Sequence, residues 1–181
     1  MIVQARMGST RLPGKSMMDL AGAPLITRLL ERAKKCNEIN TIILATTCKP
    51  EDDVIEQVGI KSDIKVFRGS ENDLLDRYYK AAIAFNADII IRLPGDQPAP
   101  DSQEIDDLVL FHKNGNYDFS SNIPDVVKNG YPDGIGAEAY NIKPLKYAWM
   151  TSIDPRKREH PHFNFYENPG RFDLGIMQCR D

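Results

Sequence analysis

The sequence contains few of the features that mark membrane, secreted or nucleic-acid-binding proteins. No apolar run approaches the ~20 residues that a helix needs to cross a bilayer, and Arg6 interrupts the N-terminal segment too early for a signal peptide. The three cysteines are widely spaced without a CxxC pair, which excludes a disulfide framework and a zinc knuckle. The formal net charge of -3 argues against a general nucleic-acid binder. We therefore expect a cytoplasmic protein without membrane or nucleic-acid partners.

The length and composition are those of an ordinary soluble domain. The chain has 181 residues, of which 41% are hydrophobic and 27% charged. These proportions exclude disordered and fibrous classes. Because the sequence shows no internal repeat, low-complexity stretch or linker, we expect one domain over residues 1–181.

Strand-like and helix-like segments alternate along the first two thirds of the chain. The predicted strands are 2–5, 41–47, 64–67 and 87–93, and the predicted helices lie near 25–36, 51–58, 75–85 and 105–112. The run 87–93 is continuously apolar except for two charged residues, which is typical of a strand covered on both faces. This alternation predicts an α/β fold with a mainly parallel sheet.

The last third of the chain gives weaker signals. We expect strands at 119–122, 134–140 and 172–177 and helices at 144–153 and 159–168, the second despite Pro161. A final strand at 172–177 would leave an open sheet edge, so further chain or a partner is expected there.

Positive charge is concentrated in the loop that follows the first strand. Arg6, Arg11 and Lys15 precede Asp19, which is the first carboxylate of the chain. In open α/β sheets ligands bind at the carboxyl ends of strands. One opposite unit charge at ~4 Å is worth about 4 kcal/mol at an effective dielectric near ~20. Three such cations predict a site for a small, concentrated anion such as a triphosphate, and the alternative is a solvated loop.

The same loop has small residues that allow close backbone approach to a ligand. Gly8 and Gly14 leave room for phosphate oxygens at the loop amides, with Ser9 and Thr10 beside them. The phosphate-loop motif GxxxxGK[ST] has four residues between its glycines, whereas five residues separate Gly8 from Gly14, so this motif is not matched. The dinucleotide-binding motif GxGxxG is absent too.

A candidate metal ligand follows the apolar strand 87–93. Asp96 lies in Gly95-Asp96-Gln97-Pro98, again at a predicted carboxyl end. Mg²⁺ prefers one or two carboxylates together with waters and substrate phosphates. An ordinary Gly- and Pro-flanked turn is the alternative interpretation.

Several motifs together resemble a known family. They are QARMGSTRLPGK at 4–15, ATT at 45–47, FRGS at 67–70, DLLDRYY at 73–79, RLPGDQP at 92–98, YPDG at 131–134, Glu138 and REH at 158–160. This pattern resembles the cytidylyltransferase family, in particular the spore coat polysaccharide biosynthesis protein F type. That type is similar to CMP-sialic acid synthetases and 3-deoxy-manno-octulosonate cytidylyltransferases.

The resemblance implies a fold, a reaction and partners. The fold would be the Rossmann-like three-layer nucleotide-diphospho-sugar transferase fold. The enzyme would join CMP from CTP to a sugar or sugar acid with Mg²⁺, release pyrophosphate, act in surface polysaccharide biosynthesis and form a homodimer. Family members continue beyond the equivalent of Asp181 into an acidic segment that supplies a second metal ligand, so we expect the domain to lack its C-terminal portion.

The resemblance also implies roles for individual residues. Arg11, Lys15 and Asp96 would be catalytic, with Asp96 holding the Mg²⁺. The expected nucleotide-binding residues are Ala5, Arg6, Gly8, Ser9, Thr10, Arg11, Lys15 and Thr46. The expected sugar-binding residues are Arg68, Asp73, Arg77, Glu138, Glu159 and His160.

Some of these residues have structural alternatives. Asp73 and Arg77, four apart on a helix, could form a surface ion pair worth ~0.3–0.5 kcal/mol. His160 and His162 could ligate a metal, although no third histidine or cysteine lies nearby.

Three other functions remain open at this point. A UTP, GTP or ATP sugar pyrophosphorylase is expected to carry a Gly-Gly pair where this chain has Gln4-Ala5-Arg6. A glycosyltransferase of the related fold would favour an Asp-x-Asp motif, which does not occur near the predicted strand ends. A non-catalytic nucleotide-binding subunit is the third.

Overall fold

A seven-stranded sheet forms the centre of the molecule in a computed structural model, which describes residues 1–9, 12–124 and 126–179. The strands, in chain order, are β1 (Ile2–Gln4), β2 (Asp19–Leu20), β3 (Ala23–Pro24), β4 (Ile43–Thr47), β5 (Lys65–Gly69), β6 (Ile89–Pro94), β7 (Phe119–Ser121), β8 (Glu138–Asn141) and β9 (Leu174–Ile176). The main sheet has the order β5-β4-β1-β6-β8-β7-β9, and β2 pairs with β3 in a separate hairpin. Only β8 runs against its neighbours in the main sheet, since the β4–β5, β1–β4, β1–β6 and β7–β9 pairs are parallel.

Helices cover both faces of this sheet. They are α1 (Leu25–Ala33), α2 (Asp53–Lys61), α3 (Leu74–Ala84), α4 (Ser102–Gly115), α5 (Ile142–Thr151), α6 (Pro155–Glu159) and α7 (Phe163–Tyr166), with short 3-10 turns at Lys15–Met17 and Pro50–Asp52. One core packs α1, α2 and α4 on one sheet face, and the other core packs α3, α5 and α7 on the opposite face. The predicted mainly parallel, layered α/β fold is confirmed.

Alternation along β1 explains why two cores form. Val3 packs into the first core and Ile2 into the second, because successive strand side chains point to opposite faces. Both residues are buried, so β1 reads as a short apolar run in the sequence. A strand buried on both faces is the expected element at the centre of a parallel sheet.

The region around Pro161 differs from the sequence-based expectation. One helix over 159–168 was predicted, whereas the structure has α6 and α7 separated at His160–His162. The ring of Pro161 disfavours helical geometry at the preceding residue, and His160 accordingly has ψ 83°. The predicted strand 134–140 is also shorter, because only Glu138–Asn141 pairs in the sheet.

The last strand lies at a sheet edge. β9 pairs with β7 and is the terminal strand in the sheet order. Within the described ranges, no helix combines the length and hydropathy needed to span a bilayer.

Buried and exposed isoleucines provide a test of the core. Ile26 on α1 has an exposed fraction of 0%, whereas Ile153 after α5 has 94%. We expect Ile26→Ala to lower the free energy of unfolding by about 2–5 kcal/mol, because the deletion leaves a cavity in a packed core. Ile153→Ala should change it by no more than ~0.5 kcal/mol. Urea unfolding of both variants measures the difference, and equal costs would contradict the described burial.

Candidate active site

A cleft of about 430 Å³ opens at the carboxyl ends of β1 and β6. Its walls come from the loops after these two strands, the start of α3 and the end of α6. The lining residues are Gln4, Ala5, Arg6, Ser9, Lys15, Ser16, Glu71, Asn72, Leu74, Arg77, Arg92, Pro94, Gly95, Asp96, Glu159 and His160. A crevice at the carboxyl ends of parallel strands is the usual ligand site of open α/β folds.

Direct backbone contact brings together the loops that follow β1 and β6. β1 pairs with β6 in register from Ile2↔Arg92 to Gln4↔Pro94, so both chains leave the sheet at the same edge. Gly95 then passes so close to β1 that a Cβ there would lie 1.9 Å from the Gln4 carbonyl oxygen. Only glycine fits this approach, which places Asp96 beside the start of the cationic loop.

The cationic loop is closed by its own backbone. The Met7 carbonyl accepts hydrogen bonds from the Ser9 amide at 2.8 Å and from the Gly14 amide at 2.9 Å. Gly14 has φ +72°, a left-handed conformation that glycine adopts at little cost. This turn directs Lys15 back to the cleft.

A buried carboxylate fixes the base of the same loop. Asp52 is 1% exposed and accepts from the Met7 amide at 2.6 Å and from the Thr47 hydroxyl. It therefore ties the loop after β1 to the end of β4. The sequence gave no sign of this role, because Asp52 lies between two other acidic residues, Glu51 and Asp53.

Most amides of the loop's described residues already have acceptors within the protein, so its side chains are more available to a ligand. The amides of Met7, Ser9, Gly14 and Lys15 already hydrogen-bond within the protein. Arg6 and Lys15 line the cleft, and Arg6 is held by an Nη1 bond of 3.1 Å to the Glu71 carbonyl. The predicted residues Thr10 and Arg11 lie outside the described residues.

Lys15 and Asp96 form an ion pair inside the cleft. Lys15 Nζ lies 2.5 Å from Asp96 Oδ2. Partial burial raises the pKa of Asp96, but the hydrogen-bonded Lys15 ammonium outweighs burial and holds it below its ordinary value. The carboxylate is therefore ionised at neutral pH, as a metal ligand must be.

The donor set near Asp96 fits Mg²⁺ bound together with a polyphosphate. In the described part of the chain, no group of three or more His, Cys, Asp or Glu residues could hold a metal alone. Mg²⁺ commonly keeps waters and takes one or two protein carboxylates plus substrate phosphates. The Asp96 carboxylate, with Arg6 and Lys15 in the same cleft, matches that need, whereas His160 and His162 belong to no metal-binding group of three such residues in the described ranges.

An ion pair between helices places the end of α6 at the cleft. Arg158 Nε donates to Asp73 Oδ2 at 2.6 Å, and its Nη1 bonds the carbonyls of Trp149 and Ser152. Glu159 and His160 follow directly and line the cleft. Partial burial holds the pKa of His160 below its ordinary value.

The helical pair considered between Asp73 and Arg77 does not form. Asp73 Oδ1 caps α3 by accepting from the Asp76 amide, and its other oxygen binds Arg158. Arg77 is 3% exposed and lines the cleft instead. The surface-pair alternative is therefore wrong.

Four other residues predicted for the site lie away from the cleft lining. Arg68 bonds the Thr47 and Lys49 carbonyls and pairs with Asp53 and Glu56, linking β5 to the start of α2. Thr46 and Glu138 are 0% exposed. Gly8 is exposed beside the cleft opening without contributing to its lining.

Glu138 belongs to a buried polar network behind the cleft. Arg92 Nη1 donates to Glu138 Oε2 at 2.7 Å, the Tyr140 hydroxyl donates to the same oxygen, and His162 Nδ1 lies 2.9 Å from Oε1. The structure thus makes Glu138 the counter-ion of Arg92, and Arg92 is the member that reaches the cleft.

Sequence reasoning gave no role to half of the cleft lining. Gln4, Ser16, Glu71, Asn72, Leu74, Arg92, Pro94 and Gly95 were missed. Arg92 had a detectable signal, because it is a charged residue inside the apolar run 87–93 and a buried charge requires a partner.

Known proteins are similar to this chain in sequence and in fold. Residues 1–180 match the family model described as cytidylyltransferase. The spore coat polysaccharide biosynthesis protein SpsF of Bacillus subtilis is 34% identical over 187 residues, covering 94% of this chain and 75% of that protein. A 3-deoxy-manno-octulosonate cytidylyltransferase of Chloroherpeton thalassium is 31% identical over 187 residues, covering 93% and 73%. The solved structure of a cytidylyltransferase from Leptospira borgpetersenii matches with a TM-score of 0.92 and 35% identity, covering 99% of this chain and 75% of that one.

The Glu138 network predicts a specific acid sensitivity of the fold. Burial alone raises the pKa of Glu138, but Arg92, His162 and Tyr140 outweigh it and lower the pKa from 4.5 to about 2. Because the folded-state pKa is depressed, this contribution is present above pH ~4.5 and is lost as pH falls toward ~2. At about 1.36 kcal/mol per pKa unit, it amounts to about 3 kcal/mol.

Urea midpoints between pH 7 and pH 2 measure this contribution. We expect Glu138→Gln to lower stability at pH 7, because Arg92 loses its buried partner, and to flatten the loss of stability between pH ~4.5 and ~2. Glu51→Gln, which removes an exposed carboxylate paired with Lys49 at 3.7 Å, should keep the wild-type profile. A Glu138→Gln profile parallel to the wild type would refute the role of this network.

Proposed function

The chain belongs to the cytidylyltransferase family, as its motifs predict, and from that premise we propose that it transfers CMP from CTP to a sugar or sugar acid with release of pyrophosphate. The names of its relatives support this choice, because one acts on 3-deoxy-manno-octulosonate and another serves spore coat polysaccharide biosynthesis. A role in surface polysaccharide biosynthesis, a cytoplasmic location and a homodimer are part of the same proposal.

One observation carries the proposal most directly. Arg6 and Lys15 from the loop after β1 and Asp96 from the loop after β6 line one cleft. Lys15 and Asp96 neutralise each other across it at 2.5 Å. A polyphosphate with its counter-cation would satisfy both groups at once, because the phosphate attracts the ammonium and the cation attracts the carboxylate.

The proposed reaction is a displacement at phosphorus. A hydroxyl oxygen of the acceptor bonds to the α-phosphorus of CTP and gives up its proton to water, while the bond from that phosphorus to the bridging oxygen breaks and pyrophosphate leaves with the electron pair. Such steps depend on alignment and charge neutralisation more than on covalent help from the protein. Arg6 and Lys15 would bind the phosphate oxygens and stabilise charge on the leaving pyrophosphate.

Asp96 is the residue proposed to hold Mg²⁺. When bound, Mg²⁺ would neutralise phosphate charge and help to orient the reacting groups. Lys15 would then leave Asp96 and act on the phosphates. Its flexible stem and point charge suit such an exchange better than a fixed guanidinium fork would.

A panel of nucleotides and acceptors tests the proposed activity. The protein is mixed with Mg²⁺, each of the four nucleoside triphosphates in turn, and a set of nonulosonic and other sugar acids alongside neutral sugars. We expect pyrophosphate release with CTP and not with UTP, GTP or ATP. Release with another nucleotide would indicate a pyrophosphorylase of different specificity, and CTP binding without release would indicate a non-catalytic subunit.

The role of Asp96 has a matched control in Asp63. Asp96→Asn should lower the rate of pyrophosphate release at least about a hundredfold, because the amide cannot replace a carboxylate that binds Mg²⁺. Asp63 lies after α2 with φ 52°, a conformation that asparagine tolerates, so Asp63→Asn should keep wild-type activity. An Asp96→Asn enzyme that retains its Mg²⁺-dependent rate would refute the metal role.

A further inference from the structure

Arg77 is a buried cation that forms no ion pair in the part of the chain that the structure describes. It is 3% exposed, donates from Nη1 to the Ser70 carbonyl at 2.6 Å, and leaves Nε without a hydrogen-bond partner among the described residues. Burying a charge without a partner is costly, and burial accordingly lowers the pKa of Arg77. A residue in this state at the wall of a cleft is suited to receive an anion.

The carboxylates near Arg77 are committed elsewhere. Asp52 and Glu71 act on Arg77 electrostatically without forming an ion pair with it. Asp52 accepts from Met7 and Thr47, and Glu71 Oε1 lies 2.8 Å from Lys49 Nζ. The positive charge of Arg77 is therefore left for a ligand.

Gln4 and Arg92 extend this positive wall with further donors. The Gln4 Oε1 atom accepts from the Tyr78 hydroxyl at 2.5 Å and from Arg92 Nε at 3.3 Å. Arginine can only donate, so the atom facing it must be the amide oxygen, and the NH₂ group of Gln4 points elsewhere. Arg92 uses Nε and Nη1 within the network and has no described partner at Nη2. Gln4 and Arg92 line the cleft together with Arg77.

This wall is built on other elements than the cationic loop, although Arg6 of that loop reaches toward it by donating to the Glu71 carbonyl, next to the Ser70 carbonyl that Arg77 bonds. Gln4 and Arg92 are on the sheet face that carries Ile2 and Ile90, which pack against α3, and Arg77 belongs to α3 itself. The loop of Arg6 and Lys15 instead leads to the β2–β3 hairpin and α1. The side chains of Gln4, Arg92 and Arg77 are therefore held in place by β1, β6 and α3.

We propose that Arg77, Arg92 and the Gln4 amide, carried by α3, β6 and β1, form a second anion subsite beside the Arg6 and Lys15 loop that binds one oxyanion group of a substrate. The ligand is a phosphate or carboxylate group, and either the nucleotide or the acceptor can supply it. Two guanidinium groups and an amide match such oxygens, because guanidinium groups carry only donors and the Gln4 amide oxygen is already occupied by Tyr78 and Arg92, which leaves its NH₂ donors. The inference rests on the proposed function for the identity of the substrates but not for the presence of the subsite.

Calorimetric titration of inorganic phosphate and of CTP tests the subsite. The proteins are the wild type, Arg77→Gln, Arg92→Gln and the control Arg171→Gln, whose guanidinium stacks on Tyr147 away from the cleft. If the nucleotide supplies the oxyanion, the affinity for CTP falls at least about tenfold in both cleft variants. If the acceptor supplies it, affinity for CTP stays unchanged, and inorganic phosphate binds the CTP-saturated wild type but neither cleft variant.

Two outcomes would overturn the proposal. One is that both cleft variants bind CTP and inorganic phosphate as the wild type does. The other is that CTP affinity is unchanged in both while phosphate fails to bind the CTP-saturated wild type. Because binding is measured without turnover, a protein that releases no pyrophosphate can still support or refute the subsite.

A measurement on the unmodified protein covers the case in which a variant fails to fold. The ¹⁵N resonance of Arg77 Nε, assigned with the conservative Arg77→Lys variant, should shift when inorganic phosphate or CTP is added. The Arg171 Nε resonance should stay in place. An Arg77 resonance that does not respond to either ligand would contradict the subsite.

Discussion

The cleft exists because β1 and β6 are parallel neighbours. Their pairing from Ile2↔Arg92 to Gln4↔Pro94 makes both chains leave the sheet at one edge, and the loops that follow must then share the same space. Gly95 permits the closest approach, since any side chain there would collide with the Gln4 carbonyl. The meeting of Lys15 with Asp96 across 81 residues of sequence follows from this one constraint.

The buried polar network behind the cleft shapes the other wall. Arg92 and Glu138 face each other on β6 and β8, which pair in register at those two positions. Removing two charges from water is expensive unless they are paired and further hydrogen-bonded, and Gln4, Tyr140 and His162 supply those contacts. The network fixes the guanidinium of Arg92 at the cleft wall and leaves the more weakly satisfied Arg77 beside it.

The two halves of the cleft therefore differ in how their charge is balanced. On the loop side, Lys15 has a carboxylate partner that a bound metal could replace. On the α3 side, Arg92 has a permanent counter-ion at Glu138 and Arg77 has none among the described residues. A ligand that enters this cleft meets one exchangeable ion pair and two cations, Arg6 and Arg77, that form no ion pair among the described residues, which suits a substrate of several negative charges.

The sequence by itself determined the layered α/β fold, the cationic loop and the family, because strand and helix periodicities and the motif at 4–15 are local patterns. The residues that were predicted from the sequence and do line the cleft are Ala5, Arg6, Ser9, Lys15, Arg77, Asp96, Glu159 and His160. The sequence could not separate cleft residues from their supports. Glu138 and Asp73 occur in the same motifs, yet they act as partners of Arg92 and Arg158. Only the tertiary structure decided this division, because which charge faces a ligand and which faces another side chain depends on strand register and helix packing between residues distant in the chain.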